Sequence, residues 1–177
     1  MRLLPVLAIS IASLTLVGCS TTTPEAIPTS SAVEQAPAFA SDEEALAAAQ
    51  AAYAQYLSVS DQIARDGGSN PERLKTLLSE DLFRDQVKTY EDIQSQNLHA
   101  VGESKFSNFK LMKNASSAIS NYVCLDVSQI RVQNSAGEDV TPEGRPSLIP
   151  LALDWSVSNQ GLVMNKSEVW TGANFCL

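Results

Sequence analysis

The apolar residues of this chain change their repeat once, near His99, and that change divides any fold it adopts into a helical half followed by a stranded half. Between Ser41 and Ile93 apolar side chains recur every three or four residues, the spacing that lines one face of a helix. Ser41-Asp42-Glu43-Glu44 has the form of a capping box: the Ser41 hydroxyl can accept from the Glu44 amide, and the acids sit at the positive end of the helix dipole. Leu46, Ala49, Tyr53, Tyr56, Leu57 and Ile63 then mark a first helix, which Gly67-Gly68 stops. Asn70-Pro71 predicts a cap and a first-turn proline for a short second helix through Leu74, Leu77 and Leu78. Ser79 caps a third, with Leu82, Phe83, Val87, Tyr90 and Ile93 on one face.

Beyond His99 the repeat is two. Residues 101–113 predict a strand in which Phe106 and Phe109 fall out of phase, so a bulge is expected there. Ile119 to Val127 reads as the clearest strand and Leu148 to Val157 as the next. Asn159-Gln160-Gly161 reads as a hairpin turn into a last strand from Leu162 to Trp170. Residues 133–146, with Gly137 and Gly144, read as a long polar connection. The layout is α+β, with N-terminal helices followed by an antiparallel sheet of about four strands.

The element order, the domain size and the closing run Ser167-Glu168-Val169-Trp170-Thr171-Gly172-Ala173-Asn174-Phe175-Cys176 resemble the nuclear-transport-factor-2-like cone fold. More narrowly, Leu125-Asp126-Val127 after Cys124, with a late Val-Trp-x-Gly before a terminal cysteine, resembles exported actinobacterial lipoproteins. The resemblance covers residues 41–177 and implies a curved sheet wrapped round a long helix, enclosing a cone-shaped cavity. That superfamily holds isomerases, dehydratases, cyclases and many non-catalytic binding domains, so the fold alone selects no activity.

The first residues place the domain. Arg2 precedes an apolar run from Leu3 to Leu16 that is too short for a stable membrane span. Leu16-Val17-Gly18-Cys19 resembles the lipobox of bacterial lipoproteins. This implies a signal peptide over residues 1–18, lipidation of Cys19, and two or three acyl chains holding the protein outside the cytoplasmic membrane. Residues 19–40 are rich in Ser, Thr, Pro and Ala and read as a disordered tether of roughly 25 Å reach. Residues 41–177 form a single domain. In an exported domain the two remaining cysteines, Cys124 and Cys176, predict a disulfide.

The chain carries 20 acidic and 12 basic residues, a net charge of −8, which disfavours nucleic acid as a partner. One histidine, His99, and two paired cysteines cannot build a tetrahedral metal site. A glycine-rich phosphate loop and a Gly-x-Ser-x-Gly elbow are both missing from the sequence, and no cofactor is implied. An enzyme of the cone type would need a carboxyl facing the cavity, where desolvation raises its pKa. Strand parity tests this. Val123, Leu125 and Val127 share one face, so Asp126 points away with Tyr122 and Cys124. Ile149, Leu151, Leu153, Trp155 and Val157 share a face, so Asp154 also points away. The last strand is ambiguous: Glu168 either faces inward or pairs with Lys166 on a solvated face. Tyr53, Tyr56, Trp155 and Trp170 are candidates to line a cavity mouth, with core packing as the competing role. Two readings follow. The favoured one is a membrane-anchored, non-catalytic domain that binds a small apolar ligand or a membrane-protein partner. The alternative is a small isomerase or cyclase using Glu168.

Overall fold

A computed structural model describes residues 36–176, which fall in one compact unit. The expected signal peptide, Cys19 and the expected tether up to residue 35 lie outside the described residues.

Helix α1 (Asp42–Arg65) starts as the capping box predicts. Ser41 Oγ accepts from the Glu44 amide at 3.1 Å, and the Glu44 carboxylate accepts from the Ala40 amide at 3.1 Å. The chain is already docked before this point. The Ala38 amide donates to the Ala115 carbonyl at 3.2 Å, and Phe39 packs on the core. Phe39 is half-buried there, since packing the ring on the core removes apolar surface from water. At the far end, Gly68 has φ 81°, and a side chain there would strike the Tyr90 carbonyl. Glycine is what lets the next helix cross so close.

The second expected helix is only a 3-10 turn, Pro71–Leu74. Asn70 does not cap it through its side chain but turns the chain in the left-handed region, at φ 56°. The residues that would extend this turn are committed elsewhere. The Leu77 carbonyl accepts from the Met164 amide, and the Ser79 amide donates to the Met164 carbonyl, both at 2.9 Å. Helix α2 (Glu80–Ser95) then begins at Ser79, whose Oγ accepts from the Leu82 amide at 3.4 Å.

The strands are β1 (His99–Val101), β2 (Lys105–Asn114), β3 (Ala118–Asp126), β4 (Arg131–Gln133), β5 (Leu148–Ser158) and β6 (Gly161–Val169). The main sheet is antiparallel in the order β2-β3-β5-β6, and β1 pairs separately with β4. The expected single strand from residue 101 is thus broken. Gly102 sits at φ 97°, and Asp61 of α1 accepts from both the amide and the hydroxyl of Ser104 at 2.8 Å, pinning the break.

The β2–β3 pairing shifts register twice and the β5–β6 pairing once, and these shifts decide which side chains reach the core. In β2 the pairing shifts between Ser107–Cys124 and Lys110–Tyr122, with Asn108 at φ 50°. Phe106 and Phe109 consequently both reach Tyr53 of α1, at ring distances of 5.2 and 6.1 Å, as their phase predicted. In β6 the pairing jumps from Trp155–Met164 to Asp154–Lys166, leaving Asn165 as the extra residue. Met164 is buried on the core side, while Lys166 and Glu168 turn to the opposite face. The core gathers Tyr53, Ile63, Leu74, Ile119, Val123, Leu153, Trp155 and Met164 between α1 and the sheet. Asn121 shares this interior; its Oδ1 accepts from Trp155 Nε1 at 2.6 Å.

Candidate binding face

The parity that turns Val123 and Leu151 inward turns Tyr122, Cys124 and Ala152 outward. Tyr122, Cys124 and Asp126 do point away from the core, as expected, yet Cys124 is only 1% exposed. What covers it is the tail after β6. The Trp170 amide donates to the Pro150 carbonyl at 2.8 Å, carrying the chain back across the sheet. A Cys124–Cys176 disulfide, with its Cα atoms 5.5 Å apart, then fastens the tail to the middle of β3. Asn174 Oδ1 accepts from the Cys176 amide at 2.9 Å, and Asn108 Nδ2 donates to the Phe175 carbonyl at 3.3 Å.

This closure assembles aromatics on the outer face. The Tyr122 ring meets Trp170 at 4.7 Å and Phe175 at 5.3 Å. Ala152, the β5 partner of Tyr122 and of Glu168, is small enough to leave the indole room. Gly172 is required for the same reason, since any side chain on it would overlap the indole of Trp170. The Val-Trp-x-Gly run is thus a packing device. Beside the rings lies a cleft of about 590 Å³ lined by Asn108, Phe109, Lys110, Tyr122 and Phe175. Lys110 is the cross-strand partner of Tyr122, and among the described residues it makes no ion pair.

The three strand acids all lie off the core. Glu168 is exposed and meets Lys166 Nζ at 2.9 Å, and this hydrogen-bonded contact raises the Lys166 pKa. Asp154 stands opposite Lys166 across the sheet. Asp126 accepts from the Ser128 amide at 2.8 Å, and hydrogen bonding from Ser128 holds its pKa down.

The four aromatics expected at one cavity mouth are not brought together. Tyr53 and Trp155 are each 1% exposed within the core, and Tyr56 stacks on Tyr53 at 6.0 Å. Burial drives the hydroxyl pKa values of Tyr53 and Tyr56 far above the ordinary tyrosine range. Trp170 belongs to the opposite face. The cause is that α1 lies directly on the sheet, and its Tyr53 ring fills the space against Phe106 and Phe109. His99 sits in β1 opposite Gln133 and lines a separate apolar cleft with Ile93, Leu98 and Val140. Among the described residues no group of three His, Cys, Asp or Glu is placed to hold a metal, and no helix is long and apolar enough to cross a membrane.

Lys110, Tyr122 and Phe175 did not stand out in the sequence as site residues. For Tyr122 and Phe175 the available signal was their nearness to the cysteines, since a bond from Cys124 to Cys176 draws the two rings near one another.

No protein-family model matches the chain, and a comparison with curated proteins finds no match. Among solved structures the chain is similar to the intermembrane space region of the chloroplast protein ARC6, with a TM-score of 0.55 and 8% identity over 70% of this chain and 95% of that one. A de novo designed β-sheet protein aligns at 12% identity over 66% of this chain and 83% of that one, with a TM-score of 0.28, too low to carry an argument. At these identities the likeness to the ARC6 region concerns the fold alone, an α+β arrangement with its helices N-terminal to an antiparallel sheet.

Proposed function

We propose that the chain is an exported lipoprotein, held outside the cytoplasmic membrane through Cys19, whose domain binds a small ligand on the outer face of its sheet. The observation that carries this reading is the disulfide-fastened tail, which gathers Tyr122, Trp170 and Phe175 around a half-open cleft instead of sealing them in the core. A cleft of about 590 Å³ lies within the range of small-molecule sites, and mostly apolar walls with a few polar groups are their usual lining. The competing isomerase reading needs a desolvated carboxyl, and Glu168 has water and Lys166 around it instead.

The test uses intact cells. A photo-crosslinking residue is placed at Ser107, Lys110 or Glu168 on the outer face, or at Asp85 or Glu91 on α2. Adducts arising from the outer face and not from α2 support the reading; adducts missing from the outer face overturn it. In the same cells Cys19→Ala should release the domain from membranes or leave an uncleaved precursor. A cleaved Cys19→Ala product that stays with membranes would show the anchor assignment to be wrong.

A further inference from the structure

We infer that the cleft between Lys110, Tyr122 and Phe175 takes an aromatic carboxylate, a flat apolar ring system bearing one anionic group. The inference rests on the binding reading above and narrows it to a ligand class.

The walls favour a flat body. Tyr122 and Phe175 line one cleft with their rings 5.3 Å apart, Phe109 borders it from β2, and Trp170 lies 4.7 Å from Tyr122. Aromatic side chains prefer offset or edge-to-face partners, which an inserted arene provides. The wall is also held in place. Asn108 Nδ2 donates to the Phe175 carbonyl at 3.3 Å and lies 3.7 Å from Cys124 Sγ, so Asn108 positions Phe175 rather than meeting a ligand.

The charge favours one anion. Lys110 stands directly across from Tyr122 and lines the cleft, so its exposed side chain can reach a group whose body lies on the rings. The outer face carries Lys105, Lys110, Lys113 and Lys166 against Asp126, Asp154 and Glu168, in a chain whose net charge is −8. An anion is therefore drawn to this face and repelled by the rest of the surface. Glu168 is engaged by Lys166, and Asp126 by Ser128. Lys110 is the cation at the cleft without a described partner. One unpaired ammonium balances the charge of a monoanion, whereas it leaves one charge of a phosphate dianion uncompensated. Tyr122 makes no side-chain hydrogen bond to a described residue, which leaves its hydroxyl as a second donor for the carboxylate.

The experiment titrates the mature, oxidised domain with naphthoate and with its neutral counterpart naphthamide, read by backbone amide NMR shifts and calorimetry. The expected result is saturable naphthoate binding with shifts centred on Asn108, Lys110, Tyr122 and Phe175. Naphthamide should bind about tenfold more weakly, the scale of one charge-assisted contact. Lys110→Gln should bring naphthoate down to the naphthamide level and leave naphthamide unchanged. Lys110 is exposed, so the variant's spectrum away from the cleft should overlay on the parent and exclude misfolding. Saturation absent through the millimolar range, shifts centred on another cleft, or equal affinity for acid and amide would each overturn the inference. Outer-face crosslinks with no naphthoate binding remove the ligand class alone; naphthoate binding at this cleft without outer-face crosslinks removes the cellular reading alone.

Discussion

At the scale of single residues, one inward position of the sheet is polar. Asn121 occupies an inward place in β3 between Ile119 and Val123, and its amide oxygen takes the indole N–H of the buried Trp155 at 2.6 Å. Asn121→Leu leaves that N–H without an acceptor in a dry interior, a loss of about 1–3 kcal/mol. Urea unfolding should show the midpoint falling with an unchanged slope, and adding Trp155→Phe should cost less in the Asn121→Leu background than in the parent. Additive effects would show that the contact contributes nothing. Glu168 is the opposite case. Its exposed pair with Lys166 should contribute little to stability, but it is the principal cause of the raised Lys166 pKa. Glu168→Gln should return the Lys166 titration toward the ordinary lysine value, followed by NMR of the side-chain methylene. The same variant tests the isomerase reading: an activity abolished by it in a folded domain would replace the binding proposal.

At the scale of elements, the tail after β6 is the piece whose role can be removed by itself. It joins β3 across a sequence separation of 52, and closing such a loop stabilises by about 4 kcal/mol in the chain-entropy model. Cys176→Ser should lower stability by up to that amount in denaturant unfolding while far-ultraviolet dichroism stays native, because the packed interior of α1 and the sheet lies on the other face. Gly172→Ala should act locally, moving the indole off Tyr122 and changing Trp170 fluorescence without loosening the core. The elements also show what a sequence can specify. The caps at Ser41 and Ser79 and the bulge near Phe106 and Phe109 were readable, because hydroxyl placement and a phase error are local signals. The bulge at Asn165 was not, because Leu162, Met164, Lys166 and Glu168 share one parity and either face could have been the inner one. Strands as short as β1 and β4 carry too few residues to establish a period. The site was half legible. The cysteine pair was visible, but alternation tells only which way a side chain points, and it says nothing of the tail that covers Cys124 or the helix that covers Trp155.

At the scale of the whole molecule, the buried Tyr53 and Tyr90 and the half-buried Tyr56 join the layers and make their cohesion fail at alkaline pH. Tyr53 of α1 meets Phe106 of the sheet, Tyr56 stacks on Tyr53, and Tyr90 of α2 shares a 2.8 Å hydrogen bond with Ser60 of α1. Burial raises the pKa of all three, and for Tyr53 and Tyr56 the rise is large. In the unfolded chain a tyrosine ionises near its ordinary value of 10.0. The folded pKa values lie above this, so their contribution is complete below pH 10.0 and is lost above it, where the unfolded state sheds protons that the folded state keeps. Each strongly shifted tyrosine then costs about 1.4 kcal/mol per pH unit. Raising the pH past this point should therefore lower the unfolding temperature steeply. Of the four tyrosines in the chain, Tyr53 and Tyr56 should contribute no tyrosinate absorbance near the ordinary value and should ionise only with cooperative unfolding, while Tyr90 should ionise above that value. Tyr53→Phe and Tyr56→Phe should each flatten the fall, since phenylalanine keeps the ring packing and removes the proton. Smooth ionisation of all four tyrosines in a domain that keeps its native dichroism would contradict this account, because it would mean that water reaches the layer between α1, α2 and the sheet without unfolding it.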